Sequence, residues 1–166
     1  MAQTRDLATA TGVGGRIVAS NERWTSFVPI EQDGINELAA AVPGLALSWL
    51  YAEDFGLGMT FFEATDILGE LRFVWALAHN QELATSVDLG LTNVLDSMGI
   101  LDGIDQLLKL TAAIAAQKRR PHEIRNAAAA MLGLPAYQWL SPRYCCDVSI
   151  EELRSRFPHV EDVAIA

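Results

Sequence analysis

The fold of this chain is decided by residues 45–77, which read LALSWLYAEDFGLGMTFFEATDILGELRFVWAL. Three apolar runs lie in this stretch, at residues 45–53, 59–65 and 70–77, and each alternates along its length in the manner of a strand. The two gaps between them, D-F-G-L-G and D-I-L-G, each hold an Asp and a Gly at hairpin length. The pattern therefore predicts three antiparallel strands joined by two tight hairpins.

Two more strands are predicted before this stretch. Residues 16–20 and 23–30 are strand-like, and the turn-forming Ser20-Asn21 lies between them. Residues 1–14 are small and polar, and the glycines there lack the preceding strand and following helix that a phosphate-binding loop requires. We therefore expect a flexible N-terminal arm over residues 1–14 and a single α+β domain over residues 15–166.

The rest of the chain carries the periodicity of helices. Apolar residues recur at helical spacing in one short segment before the three predicted strands of residues 45–77 and in four segments after them. Most of these helical segments begin or end at Gly or Pro. The predicted helices cover residues 34–42, 83–98, 103–118, 122–133 and 149–157. The last begins with a capping box, Ser149 followed by Glu152. The predicted class is α+β, with an antiparallel sheet of about five strands in the N-terminal half packed against three or four C-terminal helices.

Composition and charge limit the classes of function. The 166 residues are 51% hydrophobic and 20% charged, which is typical of a folded domain, and no apolar run reaches the ~20 residues of a membrane span. The N-terminus lacks the pattern of a secretory signal, so we expect a cytoplasmic protein. The net charge is −9, and residues 22–70 hold nine Asp and Glu against one Arg. Such acidity disfavours nucleic acids and anionic membranes as partners.

Four carboxylates lie among aromatic residues at residues 51–66, namely Glu53, Asp54, Glu63 and Asp66. Three of them fall at predicted strand ends and turns, where solvated acids are common. Glu63 instead falls within a predicted strand, on the side of Met59 and Phe61, where Arg72 is a candidate ion-pair partner across the hairpin. No calcium-loop or His-bearing metal motif accompanies these acids. We therefore predict no metal, no cofactor and no catalytic residue.

The remaining reactive residues give no defined site. Cys145 and Cys146 are adjacent, which is typical of reduced thiols and not of a structural disulfide. A Cys–His pair with His122 or His159 stays open, because sequence alone does not show which side chains meet in space. The basic run at residues 118–125 is better explained by the end of a helix than by a nucleic-acid site.

The second face of the predicted sheet is the main functional clue. Phe61 and Phe62 are neighbours, so an aromatic side chain lies on each face, and an exposed one would mark a binding surface. Our first hypothesis is an interaction protein without enzymatic activity, comparable to small bacterial inhibitor or immunity-type proteins or to an accessory domain. It would bind a protein partner, preferably a basic one, through Glu53, Asp54, Glu63, Asp66, Tyr51 and Phe62.

Two alternatives remain open. One is an enzyme or small-ligand-binding domain with a pocket around Glu63, to which Asp54, His79, Tyr51 and Cys145 would contribute. The other is a homodimeric structural domain, in which the dimer interface would cover the surplus aromatic surface.

Overall fold

The computed structural model describes residues 2–30, 35–52, 56–74, 84–87, 90–116, 122–139 and 148–163. These residues form seven strands and six α-helices, with a 3₁₀ turn at Tyr137–Trp139. The strands are β1 (Gly15–Ser20), β2 (Thr25–Pro29), β3 (Leu45–Ala52), β4 (Gly56–Glu63), β5 (Asp66–Val74), β6 (Ala84–Val87) and β7 (Glu161–Val163). The helices are α1 (Ala2–Thr11), α2 (Ile35–Ala41), α3 (Gly90–Ser97), α4 (Gly103–Ala115), α5 (His122–Leu132) and α6 (Ile150–Arg156).

The predicted α+β class is confirmed, but the strands form two sheets in place of one sheet of about five strands. Unit 1 comprises Met1–Pro43 with Gly133–Ala166, and its sheet has the order β2-β1-β7. Unit 2 comprises Gly44–Leu132, and its sheet has the order β3-β4-β5-β6. Every neighbouring pair of strands is antiparallel. The single domain expected over residues 15–166 stays a prediction.

The hairpin of β1 and β2 in unit 1 turns around Asn21, as the sequence predicted. The Oδ1 atom of Asn21 accepts the backbone N–H of Arg23 at 2.9 Å and that of Trp24 at 2.7 Å. Its Nδ2 atom donates to the carbonyl of Gly133 at 2.9 Å. One Asn side chain therefore fixes the turn and also connects it to the C-terminal segment of the same unit.

Residues 2–11 form helix α1, where the sequence analysis expected a flexible arm over residues 1–14. Ala8 of this helix is fully buried, in a core cluster with Val13, Ile17, Leu38 and Val163. The cluster includes β7, which the sequence did not reveal as a strand. Arg16 of β1 lies opposite Asp162 of β7, with its Nε 2.6 Å from the carboxylate, and its Nη1 donates to the carbonyl of Val148 at 2.6 Å. Helix α1 is mostly polar and buries few side chains, and one of its core partners, Val163, comes from the far end of the chain, so local patterns did not indicate the helix.

The strand boundaries in unit 2 differ from the prediction at the second hairpin. β4 and β5 meet at a turn of Ala64 and Thr65, where Ala64 has a φ of +52°, and not at D-I-L-G. β5 therefore begins at Asp66 and contains Gly69. The expectation that glycine marks the turn was wrong, because this glycine serves the packing of a helix.

Residues 83–98 were predicted as one helix, but their described part forms β6 followed by α3. Strand β6 pairs with the far end of β5, from Leu71 opposite Val87 to Val74 opposite Ala84. Its Thr-Ser-Val sequence suits a strand, and the edge of β5 supplies backbone partners that a sequence pattern does not show. Val87 of β6 continues the helical spacing of Leu91, Val94 and Leu95 in α3, so the apolar pattern alone predicted one helix over both elements.

Helix α3 lies directly against β5 at Gly69. A Cβ atom built on Gly69 would lie 2.5 Å from the backbone nitrogen of Leu91 and 2.6 Å from its Cα. Only glycine permits this approach of a helix backbone to a strand. Gly69 lies opposite Phe61, so α3 covers the sheet face that carries Phe61, which is fully buried.

The helix ends follow the predicted signals. After α3, Gly99 adopts a φ of +75° and its N–H donates to the carbonyl of Asp96 at 2.9 Å, a hydrogen bond of the Schellman type. Gly133 ends α5 with a φ of +67°. Before α6, the hydroxyl of Ser149 accepts the N–H of Glu152 at 3.2 Å, so the predicted N-cap is confirmed.

Gly69→Ala will destabilise the protein by about 1–3 kcal/mol, because the added methyl group meets helix backbone that has to move. Gly58→Ala is the matched control in β4, since its Cβ would have only the Cβ of Leu50 nearby, at 3.8 Å. That control will be neutral or up to about 1 kcal/mol more stable. Urea unfolding measures both changes, and equal stabilities of the two variants would contradict the close approach of α3.

Candidate functional site

The sheet of unit 2 has two very different faces. On the face under α3, Leu57, Met59 and Phe61 of β4 are at most 2% exposed. The alternate side chains form the other face, which we call the open face. Across β3, β4 and β5 it comprises Ala46, Ser48, Leu50, Gly58, Thr60, Phe62, Ile67, Glu70 and Arg72.

The open face exposes large apolar side chains. Leu50 is 62% exposed and Ile67 is 58% exposed, whereas Phe62 is half-buried. Phe62 lies between Ala46 and Ile67 in one cross-strand row, and Leu50 lies in a second row beside Gly58. The rows are four residues apart along a strand, or roughly 13 Å. The apolar groups therefore lie near two ends of the face.

The register of β5 is what brings Ile67 to this face. One irregularity interrupts the pairing of β4 with β5, so that Phe61 lies opposite Gly69 but Phe62 lies opposite Ile67. Leu68 is the extra residue of this bulge. Directly opposite residues share a face, so the bulge turns Ile67 to the side of Phe62.

A polar network occupies the middle of the open face. The Oε1 atom of Glu70 accepts a hydrogen bond from the Thr60 hydroxyl at 3.0 Å and one from the Arg72 Nη2 at 3.2 Å. Arg72 lies opposite Gly58 and pairs with Glu70 of its own strand, so its expected pairing with Glu63 was wrong. The Arg72 side chain is 62% exposed, so the ion pair contributes at most ~1 kcal/mol. The charge of Glu70 is nonetheless matched locally.

Glu63 and Asp66 form an acidic pair at the tip of the β4–β5 hairpin. They lie directly opposite each other, and both are exposed. Like charges at opposite positions of a hairpin oppose folding by roughly 0.2–1 kcal/mol. The strand alternation points Glu63 away from the side of Phe62, so the pair borders the open face at its end. Both carboxylates are therefore exposed to solvent at the end of the sheet.

Tyr51 belongs to the packing of a helix and not to the open face. Its ring is half-buried, and the guanidinium of Arg125 in α5 lies 4.6 Å from the ring centroid. This distance is typical of a cation–π contact. Arg125 also donates from Nε and Nη2 to Oδ1 of Asn126, both at 3.3 Å. The described part of the basic run therefore holds α5 against the sheet.

Several residues considered from the sequence lie outside the described residues, namely Glu53, Asp54, His79, Cys145 and Cys146. His122 is the first residue of α5, and His159 is exposed between α6 and β7. Within the ranges that the structure describes, no group of three or more His, Cys, Asp or Glu side chains is arranged to hold a metal ion. In the same ranges, no helix has the length and apolar character of a transmembrane span.

Sequence reasoning missed the two most exposed apolar residues of the open face. Leu50 carried a signal, because it alternates with Trp49 and Tyr51 and so places a large apolar group on the otherwise small and polar side of β3. Ile67 had no such signal in the sequence, because the bulge at Leu68 determines on which face of the sheet its side chain lies. Of the six predicted binding residues, Phe62 lies on the open face, Glu63 and Asp66 border it, and Tyr51 lies on the opposite side.

Glu63→Gln and Asp66→Asn will each stabilise the protein by a few tenths of a kcal/mol at low salt, because each removes one of two opposed carboxylates. The double variant will gain less than the sum of the single gains, since the repulsion is removed only once. Thermal or urea unfolding at low and high salt measures this cycle, and added salt will shrink the coupling. Additive effects would show that the two carboxylates do not repel each other.

The comparisons with known proteins assign no family to this chain. No family model matches it, no curated protein matches it, and no solved structure matches it.

Proposed function

We propose that this protein binds a protein partner through the open face of unit 2 and does not act as an enzyme. The observation that carries the proposal is the exposure of Ile67 beside Phe62, and of Leu50 beyond the Glu70 network, on the side that α3 leaves uncovered. Exposed apolar groups interspersed with satisfied polar groups are typical of surfaces that bind proteins.

The shape of the surface supports a macromolecular partner. Small-molecule sites are concave and enclose most of their ligand, whereas the open face is a sheet surface whose middle row holds Ser48, Thr60 and Glu70. Its apolar ends are separated by roughly 13 Å, a span that suits another protein surface.

The acidic pair supports a basic partner. Glu63 and Asp66 remain opposed although the pair disfavours folding, and such local conflicts are typical of functional positions. A chain with a net charge of −9 will attract a basic protein at long range, which speeds association more than it tightens the complex. An inhibitor-like, immunity-like or accessory role in the cytoplasm fits this mode of binding and forms part of the proposal.

Affinity capture from the lysate of the source cells tests the proposal with matched variants. Leu50→Gln/Ile67→Gln removes the apolar ends of the open face, and Leu101→Gln is the control, because Leu101 is 69% exposed but lies just before α4. We expect one stoichiometric protein that binds the wild type and the control but not the double variant. Its association will slow with Glu63→Gln/Asp66→Asn and with added salt.

Two results would overturn this function. A partner that binds the Leu50→Gln/Ile67→Gln variant as tightly as the wild type would place the interface elsewhere. The second result is an association rate that is the same for the wild type and for Glu63→Gln/Asp66→Asn at every salt concentration. That result would exclude a role of the acidic pair in attracting the partner.

A further inference from the structure

The outer edge of β3 is an unusual feature of unit 2. β3 is the first strand in the order β3-β4-β5-β6, and within the described ranges it pairs only with β4. The pairing is continuous from Leu45 opposite Glu63 to Ala52 opposite Gly56. β3 is thus a straight edge of eight residues without a bulge.

Edge strands in proteins usually carry a device that prevents pairing with another chain, such as a charged residue, a proline or a bulge. The sequence of β3, LALSWLYA, contains no charged residue and no proline. Its side chains under the helices are also less covered than those of the next strand. Leu47 and Trp49 are only partly buried, whereas Phe61 and Met59 opposite them are at most 1% exposed.

This partial burial indicates that the apolar side chains of β3 lie at the margin of the core, with no neighbour on their outer side among the described strands. A further strand beside β3 would cover the outer sides of Leu47 and Trp49. That strand must itself be apolar on one side and small or apolar on the other.

β3 itself meets these requirements. When two copies of β3 lie antiparallel about a two-fold axis at Ser48, Leu47 of each copy lies opposite Trp49 of the other on the helix side. On the open face, Ala46 lies opposite Leu50 and Ser48 lies opposite Ser48. This register places each Trp49 opposite the smaller Leu47 and brings no two charged side chains together.

We propose that the protein forms a two-fold dimer by antiparallel pairing of β3 with β3 of a second copy. The dimer joins the two four-stranded sheets into one sheet of eight strands. The two open faces then lie side by side, so a dimer presents two copies of the surface that we propose for partner binding. The inference rests on the edge of β3 and holds even when that proposed function fails.

Sedimentation equilibrium of the full chain tests the dimer directly. We expect a mass of about twice 18.1 kDa at micromolar concentration. Each copy carries a net charge of −9, so added salt will strengthen the dimer, whereas salt weakens binding of a basic partner. A monomer at every salt concentration would overturn the proposal.

Ser48→Lys tests the register, because the two-fold axis brings the two ammonium groups together. We expect the dimer affinity to fall at least about tenfold, while Ser48→Thr, the uncharged control, keeps the dimer. A mixture of Ser48→Lys with Ser48→Glu will restore a mixed dimer, which also shows that both variants are folded. A dimer affinity that does not change with these charges would show that another surface forms the dimer. The same conclusion would follow if the dimer were lost in Leu50→Gln/Ile67→Gln but kept in Ser48→Lys.

Discussion

The contact of Gly69 with the start of α3 is the constraint on which the rest of unit 2 depends. Where a Cβ atom would lie 2.5 Å from the backbone of Leu91, the helix and the strand touch without a side chain between them. This approach decides which face of the sheet is covered. Phe61, Leu71 and Phe73 then become a closed core, and the alternate side chains are left to solvent.

The exposed side of the sheet has an energetic consequence. Full burial of Leu50 and Ile67 would contribute roughly 1.5–3 kcal/mol for each side chain, and the opposed acids Glu63 and Asp66 disfavour folding further. The exposed apolar side chains add little burial free energy to folding and the opposed acids disfavour it, and both features lie on the open face or at its border. A partner that covers the apolar groups and neutralises the acids would recover this free energy on binding. Among the described residues the outer edge of β3 has no paired strand, and the proposed dimer would bury more of its side chains.

Local signals in the sequence were enough to predict much of the fold. The strands around Leu47 and Phe73, the turn at Asn21 and the caps at Ser149 and Gly99 each depend on neighbours within a few residues. The division into two sheets was not predictable in this way. β7 reaches β1 from the far end of the chain, and β6 was hidden in a segment whose apolar residues also fit a helix.

The candidate site was only partly predictable for a related reason. Phe62 and the acids Glu63 and Asp66 were recognisable, because alternation and composition place them at or beside a second sheet face. Ile67 depends on a bulge at Leu68, and Tyr51 depends on which helix packs above it. Both are determined by tertiary contacts, which the sequence pattern does not contain.

The central claim is that α3 covers one sheet face and leaves the other open, and methyl NMR tests it most directly. Leu and Ile methyl groups are labelled, and a soluble paramagnetic probe is added to the free protein. The account predicts strong broadening of the Leu50 and Ile67 signals and sharp signals for Leu57 and Leu71, which are at most 2% exposed. Equal protection of all four residues, or broadening of Leu71 with protection of Ile67, would contradict it.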